Sequence, residues 1–236
     1  MTAIISLIIW PLAVGGFIIA GGLLLISIFI IPRDRLHPLV RVFCRVILLC
    51  SGQILIIKRE TDDIGPGPYI YMFNHASLFD VFMVGAIVRH YITAVAAEYQ
   101  FSYPIWGTLL RRYGIIPILR SNIKQAIASL DKAEDAIKNG DSFLISPEGT
   151  RTLDGNLRVF KKGGFHVALH TGATIIPMAF GGTFQAKPKT DWRIRPGILR
   201  AYVGQPITAT DYQGMSVKEL CELTRDRIQN LIQENC

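Results

Sequence analysis

The run YIYMFNHASLFDVF, Tyr69 to Phe82, is apolar until it breaks at Asn74-His75, and a carboxylate, Asp80, follows the histidine by five residues. An imidazole held by a carboxylate is suited to removing a proton from a hydroxyl, because the carboxylate fixes the tautomer whose other nitrogen accepts. Inside one regular helix, five residues at ~100° each would leave the two side chains ~140° apart. They meet only if His75 lies before the helix. Ser77-Leu78-Phe79-Asp80 offers that start, with the S-x-x-D form of a capping box. The strand then ends at Asn74, His75 sits in the turn, and Asp80 lies in the first helical turn. Ser77 as a nucleophile is the weaker reading, since no G-x-S-x-G elbow surrounds it. An ordinary helix cap beside a polar turn is the bland one.

A second polar set stands in SPEGTRTLDG, Ser146 to Gly155, directly after the apolar run SFLIS. Glu148 and Arg151 beyond a strand's carboxyl end fall where α/β sheets bind ligands. Gly149 allows tight backbone geometry, and Arg151 can grip a phosphate with both arms of its guanidinium. Glu148 is a poor phosphate ligand, so it is expected to hold Arg151 or a substrate hydroxyl. Arg120 closes GIIPILR in the same manner. Lys161-Lys162-Gly163-Gly164 opens a helical pattern whose cationic start, with Lys162, suits phosphate. His166 and His170 have the i, i+4 spacing of zinc ligands, yet Val167 stands where a metalloprotease needs glutamate and no third ligand suggests itself. Neither a P-loop nor a G-x-G-x-x-G fingerprint occurs.

These residues need a sheet to present them. The runs QILIIK, PYIYMF, YITAVAA, GIIPIL, SFLIS and TIIPMAF read as strands, and amphipathic patterns lie between several of them. In SNIKQAIASLDKAEDAIKNG one face is traced by Ile123, Ile127, Leu130 and Ile137, with Ser121 or Asn122 as cap and Gly140 as stop. SVKELCELTRDRIQNLIQ carries a Ser216/Glu219 capping box. The expected fold is α/β, a mixed, largely buried sheet flanked by helices. The chain divides into a helical segment, 1–52, and one globular domain, 53–236.

Residues Ala3 to Pro32 contain no charge, a run longer than the ~20 residues that span a hydrocarbon core. It is too long for a cleaved signal, and no basic residue precedes it. Arg33, Arg35, Arg41 and Arg45 follow, which places the rest of the chain on the cytoplasmic side of a membrane. LHPLVRVFCRVILLC reads as a helix at the interface, with Arg41 and Arg45 on one face toward headgroups. A single crossing and a hairpin dipped into one leaflet both stay open. Half of the 236 residues are apolar and the net charge is +7. That charge suits anionic partners, but no zinc knuckle, helix-turn-helix or aromatic RNA-binding pattern supports nucleic acid. The four cysteines form no C-x-x-C pair and read as free thiols of a reducing compartment.

Over about Pro68 to Pro206 the chain resembles the 1-acyl-glycerol-3-phosphate acyltransferase (lysophosphatidic acid acyltransferase) family in four blocks. NHASLFD is similar to its N-H-x-S-x-x-D block, YGIIPILR to the block ending in Arg120, SPEGTRT to the E-G-T-R block, and TIIPMAF to the fourth. Ser146 stands where an aromatic often precedes Pro-Glu, and Thr152 where serine is common. The resemblance implies His75 as base and Asp80 as its partner, with Asn74 and Ser77 beside them. It maps substrate binding onto Arg120, Glu148, Gly149, Thr150, Arg151 and Lys162, and makes Pro177 shape the acyl site. The implied reaction takes an acyl group from acyl-CoA or acyl carrier protein to the sn-2 hydroxyl of a lysophosphatidate at a membrane surface. Backbone N–H groups at the helix start would hold the oxyanion, and neither metal nor cofactor is implied. Two rival readings are the same chemistry on another lysolipid, such as a lyso-ornithine lipid, and a non-catalytic membrane-anchored lipid-binding protein.

Overall fold

The computed structural model describes residues 2–65, 67–119 and 123–235. Arg120 and the cap residues Ser121 and Asn122 lie outside them. Seven strands form one sheet in the order β1-β7-β6-β2-β5-β3-β4. They are β1 (Gln53–Arg59), β2 (Tyr69–Phe73), β3 (Ile92–Ala97), β4 (Ile116–Ile118), β5 (Ser142–Ile145), β6 (Thr174–Gly181) and β7 (Gly197–Val203). All neighbours run parallel except β6 and β7, so the sheet is mixed.

β2 lies between β6 and β5 and is buried along its whole length, which is why its sequence is continuously apolar. Its side chains alternate between two layers. Tyr69, Tyr71 and Phe73 face a core shared with α1 (Thr2–Ile30), α2 (Arg33–Cys50), α3 (Phe79–Ile87) and α4 (Pro104–Tyr113). Ile70 and Met72 face the other core, shared with α5 (Ile123–Lys138), α6 (Gly163–Thr171) and α8 (Val217–Asn235). Before α8, Ser216 and Glu219 form the reciprocal box, with the Ser216 N–H donating to Glu219 at 2.7 Å.

The two N-terminal helices belong to the first core. Leu36 and Leu48 of α2 are wholly buried, each worth about 1.5–3 kcal/mol of apolar burial. Leu39, Val42 and Leu49 face outward. α1 is the one helix among the described residues that is long and apolar enough to cross a membrane. It is also fastened to the globular part near both ends. Ser6 exchanges hydrogen bonds with the Ile194 backbone, the Trp10 indole donates to the Trp192 carbonyl, and Arg112 of α4 stacks 4.6 Å from the Phe29 ring centre. Its opposite face exposes Ile4, Leu7, Ile8, Leu12, Ile19 and Leu23.

Candidate active site

β2 delivers Asn74 and His75 past the carboxyl edge of the sheet, and α3 starts at Phe79. Asp80, 0 % exposed, reaches back from the first turn of α3. One of its oxygens, Oδ2, accepts three hydrogen bonds: from His75 Nδ1 at 2.7 Å, the Ala76 N–H at 2.7 Å and the Ser77 N–H at 2.8 Å. The Nδ1–H donates to the carboxylate, and Nε2 is left as the accepting nitrogen. The His75 side chain retains 16 % exposure, and its ring packs against Phe73 with centres 5.7 Å apart.

The helix start differs from the expected capping box. Asp80 forms its half, but the Ser77 hydroxyl donates to the Lys187 carbonyl at 2.8 Å and accepts only a long 3.3 Å contact from the Phe79 N–H. Ser77 is 0 % exposed, ties the turn to the segment after β6, and does not line the cavity described below. Asn74 is likewise structural. Its amide donates to the Phe180 carbonyl at 3.0 Å and its oxygen accepts the Phe180 N–H at 2.7 Å, clamping the end of β2 to β6. The N–H groups of His75, Ala76 and Ser77 each already have an acceptor, and that of Phe79 has only the long Ser77 contact.

Glu148 is also placed otherwise than expected. Its buried carboxylate, 3 % exposed, contacts neither Arg151 nor open space. One oxygen accepts the His75 N–H at 2.5 Å and the other the Arg158 N–H at 3.0 Å. Burial pushes this carboxyl above the usual glutamate range, against the pull of those two N–H groups. The Thr152 N–H donates to the His75 carbonyl at 2.8 Å. Both backbone polar groups of His75 are therefore held by the Ser146–Gly155 loop. Gly149 has φ +70°, and a Cβ there would come within 2.9 Å of Lys161. The glycine makes room for the lysine stem to cross the loop.

His75 lines an apolar cavity of about 440 Å³. Leu24, Phe43, Trp106, Leu109, Ile127 and Leu130 are among its walls, so α1, α2, α4 and α5 all contribute. Gly149 and Lys161 join His75 in the wall, while Lys162 does not. Lys162, at the start of α6, is exposed to solvent instead. Lys161 is thus the residue the sequence reading passed over, one position away in the KKGG run. His37 of α2 also lines the cavity; its Nε2–H donates to the Val88 carbonyl at 2.9 Å, leaving Nδ1 for the Tyr113 hydroxyl at 2.6 Å. Pro177 is absent from the walls. It pairs with Met72 inside the sheet and accepts the Gly204 N–H, so it shapes the β6–β7 join rather than the cavity. Thr150 and Arg151 are half-buried in the loop, and among the described residues the Arg151 guanidinium makes neither hydrogen bond nor ion pair. His166 and His170 are exposed on α6, the latter 2.9 Å from Glu134.

A base braced by a buried carboxylate, in the wall of an apolar cavity that Lys161 also lines, suits reactions on acyl chains. The acyltransferase family model matches residues 56–181, and the chain belongs to that family. Among its relatives is a Cocos nucifera protein named 1-acyl-sn-glycerol-3-phosphate acyltransferase, 35% identical over 155 residues, 65% of this chain and 50% of that one. A Pseudomonas aeruginosa protein of the same name is 27% identical over 203 residues, 83% of this chain and 78% of its own. The chain spans about half the length of the plant relatives it matches. The crystal structure of a Thermotoga maritima 1-acyl-sn-glycerophosphate acyltransferase superposes with TM-score 0.85 at 22% identity, over 99% of this chain and 97% of that one. The two share the fold.

Proposed function

We propose that this chain acylates the sn-2 hydroxyl of 1-acyl-glycerol-3-phosphate, using acyl-CoA or acyl carrier protein as donor and giving phosphatidic acid for phospholipid synthesis. The carrying observation is the 2.7 Å bond from His75 Nδ1 to Asp80, with His75 in the wall of the apolar cavity. The transferred chain occupies that cavity, which brings its thioester carbon to the imidazole. Nε2 takes the hydroxyl proton as the oxygen attacks, and a C–O bond forms. The tetrahedral oxyanion then collapses, the C–S bond breaks, and the thiolate recovers the proton from the imidazolium. Asp80 stabilises the charge that the ring carries between these events. The Lys161 ammonium, beside His75 in the cavity wall, supplies positive charge for the oxyanion. Arg151 binds the acceptor phosphate and fixes the hydroxyl in place, a task the sequence also gives to Arg120. The relatives' names favour this acceptor.

We infer that the α1–α2 pair seats the site at a lipid surface, and Arg33, Arg35, Arg41 and Arg45 after the apolar run favour the cytoplasmic side for the globular part. Because α1 is bound near both ends to that part, we infer a hairpin seated in one leaflet rather than an upright crossing. Purified protein with a labelled acyl thioester tests the reading in three arms. Lysophosphatidate should give phosphatidic acid. Turnover with a lyso-ornithine lipid alone would move the chemistry to another acceptor, and free fatty acid without any acceptor would make the protein a thioesterase.

A further inference from the structure

After β6 and the short helix α7 (Thr183–Ala186) comes the run KPKTDWRIR, residues 187–195, outside the matched stretch 56–181. This loop joins the active-site turn to α1. At one end the Lys187 carbonyl accepts the Ser77 hydroxyl at 2.8 Å. At the other, Ser6 of α1 and Ile194 exchange hydrogen bonds, and the Trp10 indole donates to the Trp192 carbonyl at 2.9 Å. The loop is also braced from within. The Lys187 ammonium donates to the Pro188 carbonyl at 3.1 Å and to that of Asp191. The Asp191 carboxylate accepts the Arg193 N–H at 3.0 Å and pairs with the Arg193 and Arg195 guanidiniums at 2.9 and 2.7 Å.

On this fixed frame the Trp192 side chain is 51 % exposed. The loop is fastened to α1 through the Trp192 carbonyl, so the indole is free to meet a partner. The first turns of α1, which the loop grips, expose Ile4, Leu7 and Ile8. The run carries four cationic side chains against one carboxylate, with Lys189 exposed and both arginines partly so. An outward indole among cations, fixed to the end of an apolar helix, matches the boundary between hydrocarbon and water. Indole rings settle at headgroup level, and cations are drawn to anionic headgroups. Because the loop is ordered beforehand, such a contact costs little further ordering.

We propose that residues 189–195 form a second lipid contact, separate from the α1–α2 pair. Trp192 enters the headgroup layer of an anionic phospholipid surface, while Lys189, Arg193 and Arg195 face its phosphates. This contact rests on the lipid seating of α1 inferred above. It adds the rim of the active site to the seated surface, because the same loop holds Ser77 beside His75. A lipid-borne acceptor then reaches the His75 turn from the layer itself.

The test mixes the full-length protein with vesicles of phosphatidylglycerol or of phosphatidylcholine. Emission present in wild type and missing from Trp192→Phe belongs to Trp192. On phosphatidylglycerol that component should be quenched by brominated acyl chains and shielded from aqueous iodide. Lys189→Gln should raise the phosphatidylglycerol needed for half-maximal quenching about 5-fold and leave the phosphatidylcholine curve unchanged. Trp192→Ala keeps the carbonyl that Trp10 uses. It should raise KM for vesicle-borne lysophosphatidate about 3- to 10-fold, with kcat, Tm and KM for a water-soluble short-chain lysophosphatidate near wild type. Should Ala fail to fold, the quenching decides by itself, and it reads the contact whether or not wild type acylates lysophosphatidate. Wild type that floats with vesicles while its Trp192 component stays open to iodide and untouched by brominated chains overturns the loop contact alone. Equal losses on both acceptors with a lower Tm mark a structural side chain and also overturn it. Wild type that floats with neither vesicle overturns the lipid seating of α1 and this contact with it.

Discussion

Glu148 shows how a buried carboxylate can brace a histidine through its backbone. By accepting the N–H groups of His75 and Arg158, it fixes the histidine backbone to a loop seventy-three residues away. Glu148→Gln replaces one accepting oxygen by an amide that must point a donor at a donor. The variant should lose about 1–3 kcal/mol of stability and most of its turnover, read by chemical unfolding and by kcat. Gly149→Ala meets both a left-handed backbone and the Lys161 stem, so it should displace that lysine and depress kcat more than it alters Tm. Such residue-scale detail was only partly legible. The histidine and aspartate were, because five residues across a strand-to-helix junction leave few geometries in which they meet. Glu148's role was not, since its partners are backbone groups that no sequence motif displays. The choice between Lys161 and Lys162 turns on where α6 begins: one residue of register puts Lys161 in the cavity wall and leaves Lys162 out of it.

Elements were easier to read than their ends. Buried strands announce themselves as continuous apolar runs, and six of the observed strands fall on the runs read from the sequence, while β7, interrupted by the exposed Arg200, does not. α4 was harder. Pro, Trp, Gly, Thr and Tyr take up half of PIWGTLLRRY, so intrinsic propensity argues against a helix that packing supplies. Its Gly107 abuts the Phe101 carbonyl so closely that any Cβ there would collide. The Ser146–Gly155 loop closes in a turn where Thr152 and Asn156 donate to Asp154, and those bonds hold its carboxyl down from 3.8 to about 2. A carboxyl lowered by folding lends stability at pH above its unfolded value and loses it as the pH falls through its folded one. The Tm advantage of wild type over Asp154→Asn should be full above pH 3.8 and vanish as the pH passes about 2, as followed by circular dichroism.

At the scale of the whole molecule, the N-terminal helices wall the cavity, and α1 is also long and apolar enough to cross a membrane. Composition marked α1 as membrane-seeking, but only its packing shows that it also lines the cavity with Leu24 and Ile28. Removing residues 2–30 should both abolish flotation with anionic phospholipid vesicles and open the cavity to water. Thioester turnover should then fall sharply even with a water-soluble, short-chain lysophosphatidate. An enzyme that kept its rate while losing only flotation would show α1 to be an anchor alone.

The base itself offers the most direct test. With purified protein, labelled acyl thioester and lysophosphatidate, His75→Ala should lower kcat by about 100- to 10,000-fold while leaving Tm and acceptor KM close to wild type. Turnover unchanged in that variant would contradict the assignment of His75 as the group that activates the hydroxyl.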